Sequence, residues 1–456
     1  MKILLLNPPG TKIYIRDYYC SKVSKTNYIY EPPDLLILSG ILSEKHRVAV
    51  IDAIAEKLSE NDCIARILQF RPDAIVFLSG AVSFQEDFPF MEKVKRLTNA
   101  KLIGSADIFM ENGEKILEKY RFIDALLLDF TTPDILAYLE GKNAQNIIYR
   151  AGDRIIKTKT ERIKLANFTI PIPKHELFPL HKYRFPFAYG KFATVLTDYG
   201  CPFRCKFCIM SNLGFKFRSA ENVIAELQYI KSLGINEIYF DDQTFGVNRK
   251  RTIDLCNAML ANNLQMKWSC FSRVDLIDEE ILTLMKNAGC HTIMFGVESS
   301  NEEILRKYEK GFTIEQVEKT FALCRKLGIK TLATFMLGFP EETEESVINT
   351  IEFSKRLNPD YAAFNVPVPR AATQLRKEEI AEHLIADELL PLDQTGSFVE
   401  ISTKQIPAER LASLRKRAVK EFYLRPSYIA RRILSIRSFA ELKNNISDAL
   451  ALLQNA

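Results

Sequence analysis

The chain has 456 residues, 47% of them hydrophobic and 26% charged, with a formal net charge of +5. This is the composition of a globular protein long enough for about three domains, and it excludes a disordered or fibrous chain. So small a charge points to neither nucleic acid nor a membrane surface, and no apolar run reaches the roughly 18–20 residues of a membrane span.

The chain opens on a short apolar run, Ile3 to Leu6, ended by Asn7-Pro8-Pro9. It is too short for the core of a signal peptide and reads as a first strand. Nine cysteines without regular spacing, and no signal peptide, predict a reducing cytoplasm. Residues 1–140 then alternate strands with helices. Strands are expected at Ile3–Leu6, Val48–Ile51, Ala74–Leu78, Lys101–Ile103 and Ala125–Leu128. Helices are expected through Leu35–Ser43, Cys63–Phe70, Phe88–Leu97 and Glu111–Lys119. Such alternation predicts an α/β domain, a Rossmann or flavodoxin-like parallel sheet that binds ligand at the carboxyl ends of its strands. Those ends are Asn7-Pro8, Ser79-Gly80, Gly104-Ser105 and Asp129. His46, just before a strand, reads as a surface histidine.

Residues 141–190 read as a linker. Ile147–Arg150 and Arg154–Lys157 flank Ala151-Gly152-Asp153 and predict a hairpin. Phe168 to Tyr189, rich in proline and aromatics, predicts an extended connector in which His175 and His181 are structural or exposed.

Residues 191–375 carry the chemistry. Cys201, Cys205 and Cys208 stand at the spacing C-x3-C-x2-C, on a loop after the apolar run Phe192 to Leu196. Three thiolates suit a soft metal, yet zinc or a fully ligated iron–sulfur cluster takes four ligands. Either a distant residue completes the set, as one of the five histidines would in a zinc knuckle, or one position stays open. Six strand–helix units follow one another, with strands at Phe192–Leu196, Glu237–Phe240, Lys267–Phe271, Thr292–Val297, Thr331–Leu337 and Tyr361–Val366. They predict a partial (β/α)6 barrel. Capping boxes are expected at Ser300 to Glu303 and Thr313 to Gln316. Polar groups gather after successive strands: Asp241-Asp242, Ser272-Arg273, Glu298-Ser299 and Gly338 to Glu341. Leu337-Gly338 offers an unhindered backbone edge. The other cysteines form no second cluster motif. Residues 376–456 read as basic C-terminal helices, with Leu411, Leu414, Val419 and Phe422 as the apolar face.

The run Cys201 to Cys208, with Phe207 before the last cysteine, resembles the radical S-adenosylmethionine (SAM) superfamily. The resemblance implies a [4Fe–4S] cluster on Cys201, Cys205 and Cys208 whose open iron chelates SAM. Phe240-Asp241-Asp242, Gly296-Val297-Glu298-Ser299 and Leu337-Gly338-Phe339-Pro340-Glu341 resemble its SAM-contacting segments. SAM contacts are therefore expected at Phe207, Asp241, Asp242, Arg273, Glu298, Ser299, Leu337 and Gly338, with adenine on the Leu337-Gly338 edge. The first domain resembles the cobalamin-binding domain of many such enzymes through Leu5-Leu6-Asn7-Pro8-Pro9, Pro32-Pro33, Val50-Ile51-Asp52 and Arg71-Pro72-Asp73. Cobalamin contacts are expected at Asn7, Pro8, Ser79, Gly80, Ser83, Gly104, Ser105 and Asp129. The chain departs from that pattern in several places. No D-x-H-x-x-G supplies a cobalt ligand. Gly104-Ser105 stands for Gly-Gly, and Asp129-Phe130-Thr131-Thr132 for an acidic Gly-Glu segment. Pro369-Arg370-Ala371-Ala372-Thr373 stands where Pro-Gly-Thr is usual. Phe422 to Pro426 resembles a C-terminal segment of the same enzymes.

The resemblance implies reductive cleavage of SAM, hydrogen abstraction from a small-molecule or lipid-like substrate, and cobalamin-dependent methyl transfer to carbon. An external reductant of flavodoxin or ferredoxin type is implied as partner. The alternatives are a cobalamin-independent rearrangement, cyclisation or C–S bond formation, and a non-catalytic iron–sulfur scaffold or sensor. A methylthiotransferase would need three more cysteines in the first domain, where only Cys20 and Cys63 occur.

Overall fold

Ile3, Leu4, Leu5 and Leu6 are all fully buried, because a central parallel strand is covered on both faces. Leu4 and Leu6 point into one hydrophobic core, Ile3 and Leu5 into the other. This computed structural model describes residues 1–160, 164–188, 190–386, 388–396, 402–436 and 451. Tyr189 of the connector and most of the tail beyond 436 lie outside the described residues.

The first unit runs β1 (Lys2–Asn7), β2 (Tyr14–Ile15), β3 (Lys22–Val23), α1 (Pro33–Ser43), β4 (Arg47–Asp52), α2 (Glu60–Phe70), β5 (Ala74–Leu78), α3 (Phe84–Leu97), β6 (Lys101–Ser105), α4 (Phe109–Lys119), β7 (Ala125–Leu127) and α5 (Asp134–Leu139). Its parallel strands lie in the order β4-β1-β5-β6-β7. The order reverses between β1 and β5, which is the flavodoxin-like switch point. The expected hairpin forms as β8 (Ile147–Ala151) and β9 (Arg154–Lys157), but it is no free linker. It pairs antiparallel with β7 and extends the first sheet to seven strands. β2 and β3 pair only with each other among the described residues, and the segment carrying them lies across the strand ends.

The second unit starts with β10 (Lys164–Phe168), β11 (Ala193–Val195), β12 (Asp198–Gly200) and β13 (Phe215–Arg218). There follow α6 (Ala220–Ser232), β14 (Glu237–Phe240), α7 (Arg249–Ala261), β15 (Lys267–Ser272), α8 (Glu279–Asn287), β16 (Cys290–Glu298), α9 (Glu302–Lys307), α10 (Ile314–Leu327), β17 (Lys330–Met336), α11 (Glu344–Leu357) and β18 (Tyr361–Asn365). The six parallel strands lie in the order β11-β14-β15-β16-β17-β18, the expected partial barrel. A capping box starts α10 at Thr313. At α9 the cap is Asn301 rather than Ser300, because Asn301 accepts from the Glu303 and Ile304 amides while Ser300 turns to Thr350.

After α12 (Gln374–Ala381) come α13 (Ala408–Tyr423) and α14 (Pro426–Ser435). Leu411, Leu414, Val419 and Phe422 are buried, as the helical spacing predicts. The Tyr423 hydroxyl donates to Ala362 O at 2.7 Å and accepts from Ala362 N at 3.1 Å. It thereby closes the exposed edge of β18. His46 is half-buried, and neither ring nitrogen has a hydrogen-bond partner among the described residues.

Candidate active site

The cysteine loop hangs from the short sheet of β12 and β13, not directly from a barrel strand. Gly200, with φ of +79°, makes the turn into it, and Cys201 N donates to Gly214 O at 3.0 Å to close its base. Only glycine fits there: a Cβ would stand 2.0 Å from that same carbonyl oxygen. Cys205 is buried and Cys201 and Cys208 are half-buried. Burial pushes the Cys201 and Cys208 thiols up, and the neighbouring cysteines add to the shift. Among the described residues no three metal-ligating side chains stand at metal-holding distance. The loop brings its thiols into one neighbourhood.

Cations gather at Cys205. Arg273 Nη1 lies 3.9 Å from its sulfur, and the guanidinium stacks 3.7 Å above the Phe203 ring. Arg273 is held there by Asp275 and by the Lys310 carbonyl. Lys310, which no local sequence pattern marks, pairs with Glu298 at 2.8 Å, both nearly buried. Glu298 has φ of +68° beside a register shift at Gly296, a strained backbone of the kind that collects at functional sites. Phe207 packs with Tyr308 and Phe339 in an aromatic cluster that also contains Cys205. Cys201 Sγ lies 3.6 Å from Thr244 Oγ1, beyond the end of β14.

Other expected SAM residues face elsewhere. Asp242 accepts from Thr197 N at 2.6 Å, from Asp198 N at 3.1 Å and from the Thr197 hydroxyl, so it ties the turn between β11 and β12 to the end of β14. Ser299 contacts Glu342 and Thr350. Leu337 is fully buried, and the Gly338 edge is not open: α13 sets Leu411 where a Cβ on Gly338 would be 2.5 Å from it. Asp241 accepts from the Tyr239 hydroxyl at 2.7 Å through Oδ1, while its buried Oδ2 has no hydrogen-bond partner among the described residues. Burial and the nearby Asp17 hold its carboxyl well above the usual range.

The strand ends of the first sheet are already occupied by the chain itself. Arg16, buried, donates to Asn7 Oδ1, Pro8 O, Ser83 Oγ and Asp87 Oδ1. Ser79 donates to Asp87, and Ser105 to Asp34. A Cβ on Gly80 would lie 2.3 Å from Ser21, and one on Gly104 would lie 2.7 Å from the Phe109 ring. The small residues at these ends admit the chain's own side chains. Two ion pairs join this rim to the second unit: Asp129 to Lys216 of β13 at 2.7 Å, and Asp107 to Arg370, beyond β18, at 3.1 Å.

With this geometry in view, the model of the radical SAM superfamily matches residues 195–354. An uncharacterized methyltransferase of Pyrococcus horikoshii is 32% identical over 460 aligned positions, 96% of each chain. The chain belongs to the radical SAM superfamily. It is an enzyme of methyltransferase type, and the superfamily's cofactors are a [4Fe–4S] cluster and SAM. In fold it is similar to the radical SAM methyltransferase TsrM from Kitasatospora setae, solved with cobalamin and the cluster bound (TM-score 0.73, 18% identity, 99% of each chain). It is also similar to the cobalamin-dependent radical enzyme OxsB (TM-score 0.67, 18% identity, 98% of this chain and 72% of that one).

Proposed function

We propose that this enzyme transfers a methyl group from cobalamin to a carbon of a small-molecule or lipid-like substrate. The observation that carries the reading is the joining of the first sheet's strand ends to the second unit by Asp129–Lys216 and Asp107–Arg370, with Cys201 and Cys208 packed against the core cluster that the two units share. SAM, when bound and reduced, supplies a radical that abstracts hydrogen, and cobalamin supplies the methyl group. Cys201, Cys205 and Cys208 would hold the cluster. Arg273 and Lys310 offset its negative charge and that of the thiolates. Glu298 offers a carboxylate to the ammonium of SAM. Burial of this rim keeps water from the reacting atoms. Unpartnered oxygens at Asp241 Oδ2 and Ser24 Oγ fit a polar corrinoid periphery.

An external reductant of flavodoxin or ferredoxin type belongs to this reading. So does a cytoplasmic location, since all nine cysteines are unbridged. Among the described residues no helix is long and apolar enough to cross a membrane. The filled strand ends favour one second reading, a cobalamin-independent radical reaction.

The test is anaerobic reconstitution with iron and sulfide, addition of hydroxocobalamin, desalting and absorbance. Cluster bands with retained cobalamin support methyl transfer; cluster bands alone support the second reading. Cys205→Ala should lose the cluster and release no 5′-deoxyadenosine from SAM under reduction. Retained cleavage would sink the assignment.

A further inference from the structure

A cavity of about 220 Å³, open to solvent on one side, lies between α4 of the first unit and the segments 369–376 and 388–392. It lies on the α3–α4 face of the first sheet, away from the α1–α5 face. Its floor is the buried Asp107–Arg370 pair. Its wall is apolar: Ile108, Ile116, Leu390 and Leu392. Its rim carries Lys115 and Lys119, both exposed. Among the described residues neither has a carboxylate within ion-pair distance. Of the lining acids, Asp107 is paired with Arg370 and Glu111 with Arg376, which leaves Glu388 against two rim lysines.

We propose that this cavity binds the apolar end of an amphipathic anion, whose acidic group stays at the mouth against Lys115 and Lys119. Pockets that enclose a whole drug-sized ligand run to about 300–1,000 Å³, so this one takes an end and leaves the rest outside. An apolar wall rewards burial of hydrocarbon, and two rim ammonium groups without an ion-pair partner among the described residues, Lys119 resting on the Tyr120 ring, reward one anionic charge.

The cavity also lies one layer of chain from the cysteine loop. Asn212 Nδ2 donates to Ala372 O at 3.0 Å, and Leu375 N donates to Lys206 O at 3.0 Å. Arg370 reaches past the floor to Ser21 O at 2.9 Å. As an entrance for substrate the cavity rests on the methyl-transfer reading; as a binding site it does not, and the assay reads binding alone.

The probes are 8-anilinonaphthalene-1-sulfonate, an aromatic anion, and N-phenyl-1-naphthylamine, its neutral counterpart, titrated by fluorescence into the full-length protein. The double variant Lys115→Gln/Lys119→Gln should weaken the sulfonate about five- to tenfold and leave the neutral probe within about twofold. Leu390→Trp, which fills the cavity, should remove one site for both probes. Far-ultraviolet circular dichroism and the thermal transition show that each variant is folded. The proposal is overturned if the lysine variant changes both probes equally or neither, or if Leu390→Trp leaves both titrations unchanged.

Discussion

Replacing His175 by Gln should make the protein less stable, and most so below neutral pH. The imidazole is fully buried between Glu31, 2.9 Å from Nδ1, and Glu226, 3.1 Å from Nε2. Burial alone would lower its pKa, but the two carboxylates overcome it and raise the value from 6.5 to about 10. A group raised on folding adds stability that is complete below its unfolded pKa and lost as pH climbs through its folded pKa. The window is therefore pH 6.5 to about 10. At about 1.4 kcal/mol per pH unit, that interval corresponds to about 5 kcal/mol. Removing one member of a buried ion pair costs about 3–5 kcal/mol, so the two routes agree. The position matters because Glu31 precedes α1 of the first unit, while Glu226 lies on α6 of the second and also binds Arg218. Urea unfolding at pH 6, 8 and 10 should show the wild type about 3–5 kcal/mol more stable than the variant at pH 6, about half of that at pH 8 and little at pH 10. A gap that stays constant across this range would refute the charged-histidine rivet.

Gly200→Ala should prevent iron incorporation after reconstitution, because the new Cβ meets the backbone oxygen of Gly214 at 2.0 Å and forces the loop base open. The control is Gly234→Ala, with φ of +77° but open space around it, which should cost only about 1–2 kcal/mol and keep full iron content. Ala372 has φ of +61°, so Ala372→Gly should raise the urea midpoint by the equivalent of about 1 kcal/mol; an unchanged or lowered midpoint would refute strain there.

What was legible in the sequence was whatever depends on local pattern. Ile3–Leu6 and Ala74–Leu78 read as strands because strands buried on both faces are unbroken apolar runs. The spacing of Cys201, Cys205 and Cys208 pointed to the radical SAM superfamily, to which the chain belongs, because three cysteines in eight residues are a local pattern. What failed depends on elements far away in sequence. Gly338 looked open because Leu411, 73 positions later, is invisible to local reading. Asp242 looked like a ligand-facing acid, yet it serves three donors at Thr197 and Asp198. Lys310 carried no signal at all, since a lysine after a helix is usually solvated and only the fold reveals Glu298 beside it. The stretch from Gly10 to Tyr30 has no apolar period and carries none of the expected elements. It is nonetheless largely buried, with aromatic Tyr18 packed on Phe130 and Tyr199.

That buried stretch decides where a corrinoid would be met. Contact at Asn7, Pro8 and Ser83 requires Arg16 to withdraw, breaking its four hydrogen bonds shorter than 3 Å and stranding Asp87 beside Ser79 and Ser83. At about 1.5–3 kcal/mol for each bond to a charged group, the loss is about 6–12 kcal/mol, comparable to the whole free energy of a micromolar to nanomolar complex. A corrinoid lying above the stretch avoids that cost and finds Ser24 Oγ and Asp241 Oδ2, which have no hydrogen-bond partner among the described residues. Ser24→Ala should therefore lower the cobalamin retained after desalting, while Ser79→Ala, whose hydroxyl already serves Asp87 at 2.8 Å, should leave retention unchanged provided the fold holds. The opposite pattern, loss with Ser79→Ala and none with Ser24→Ala, would place the ligand at the strand ends and require Arg16 to move.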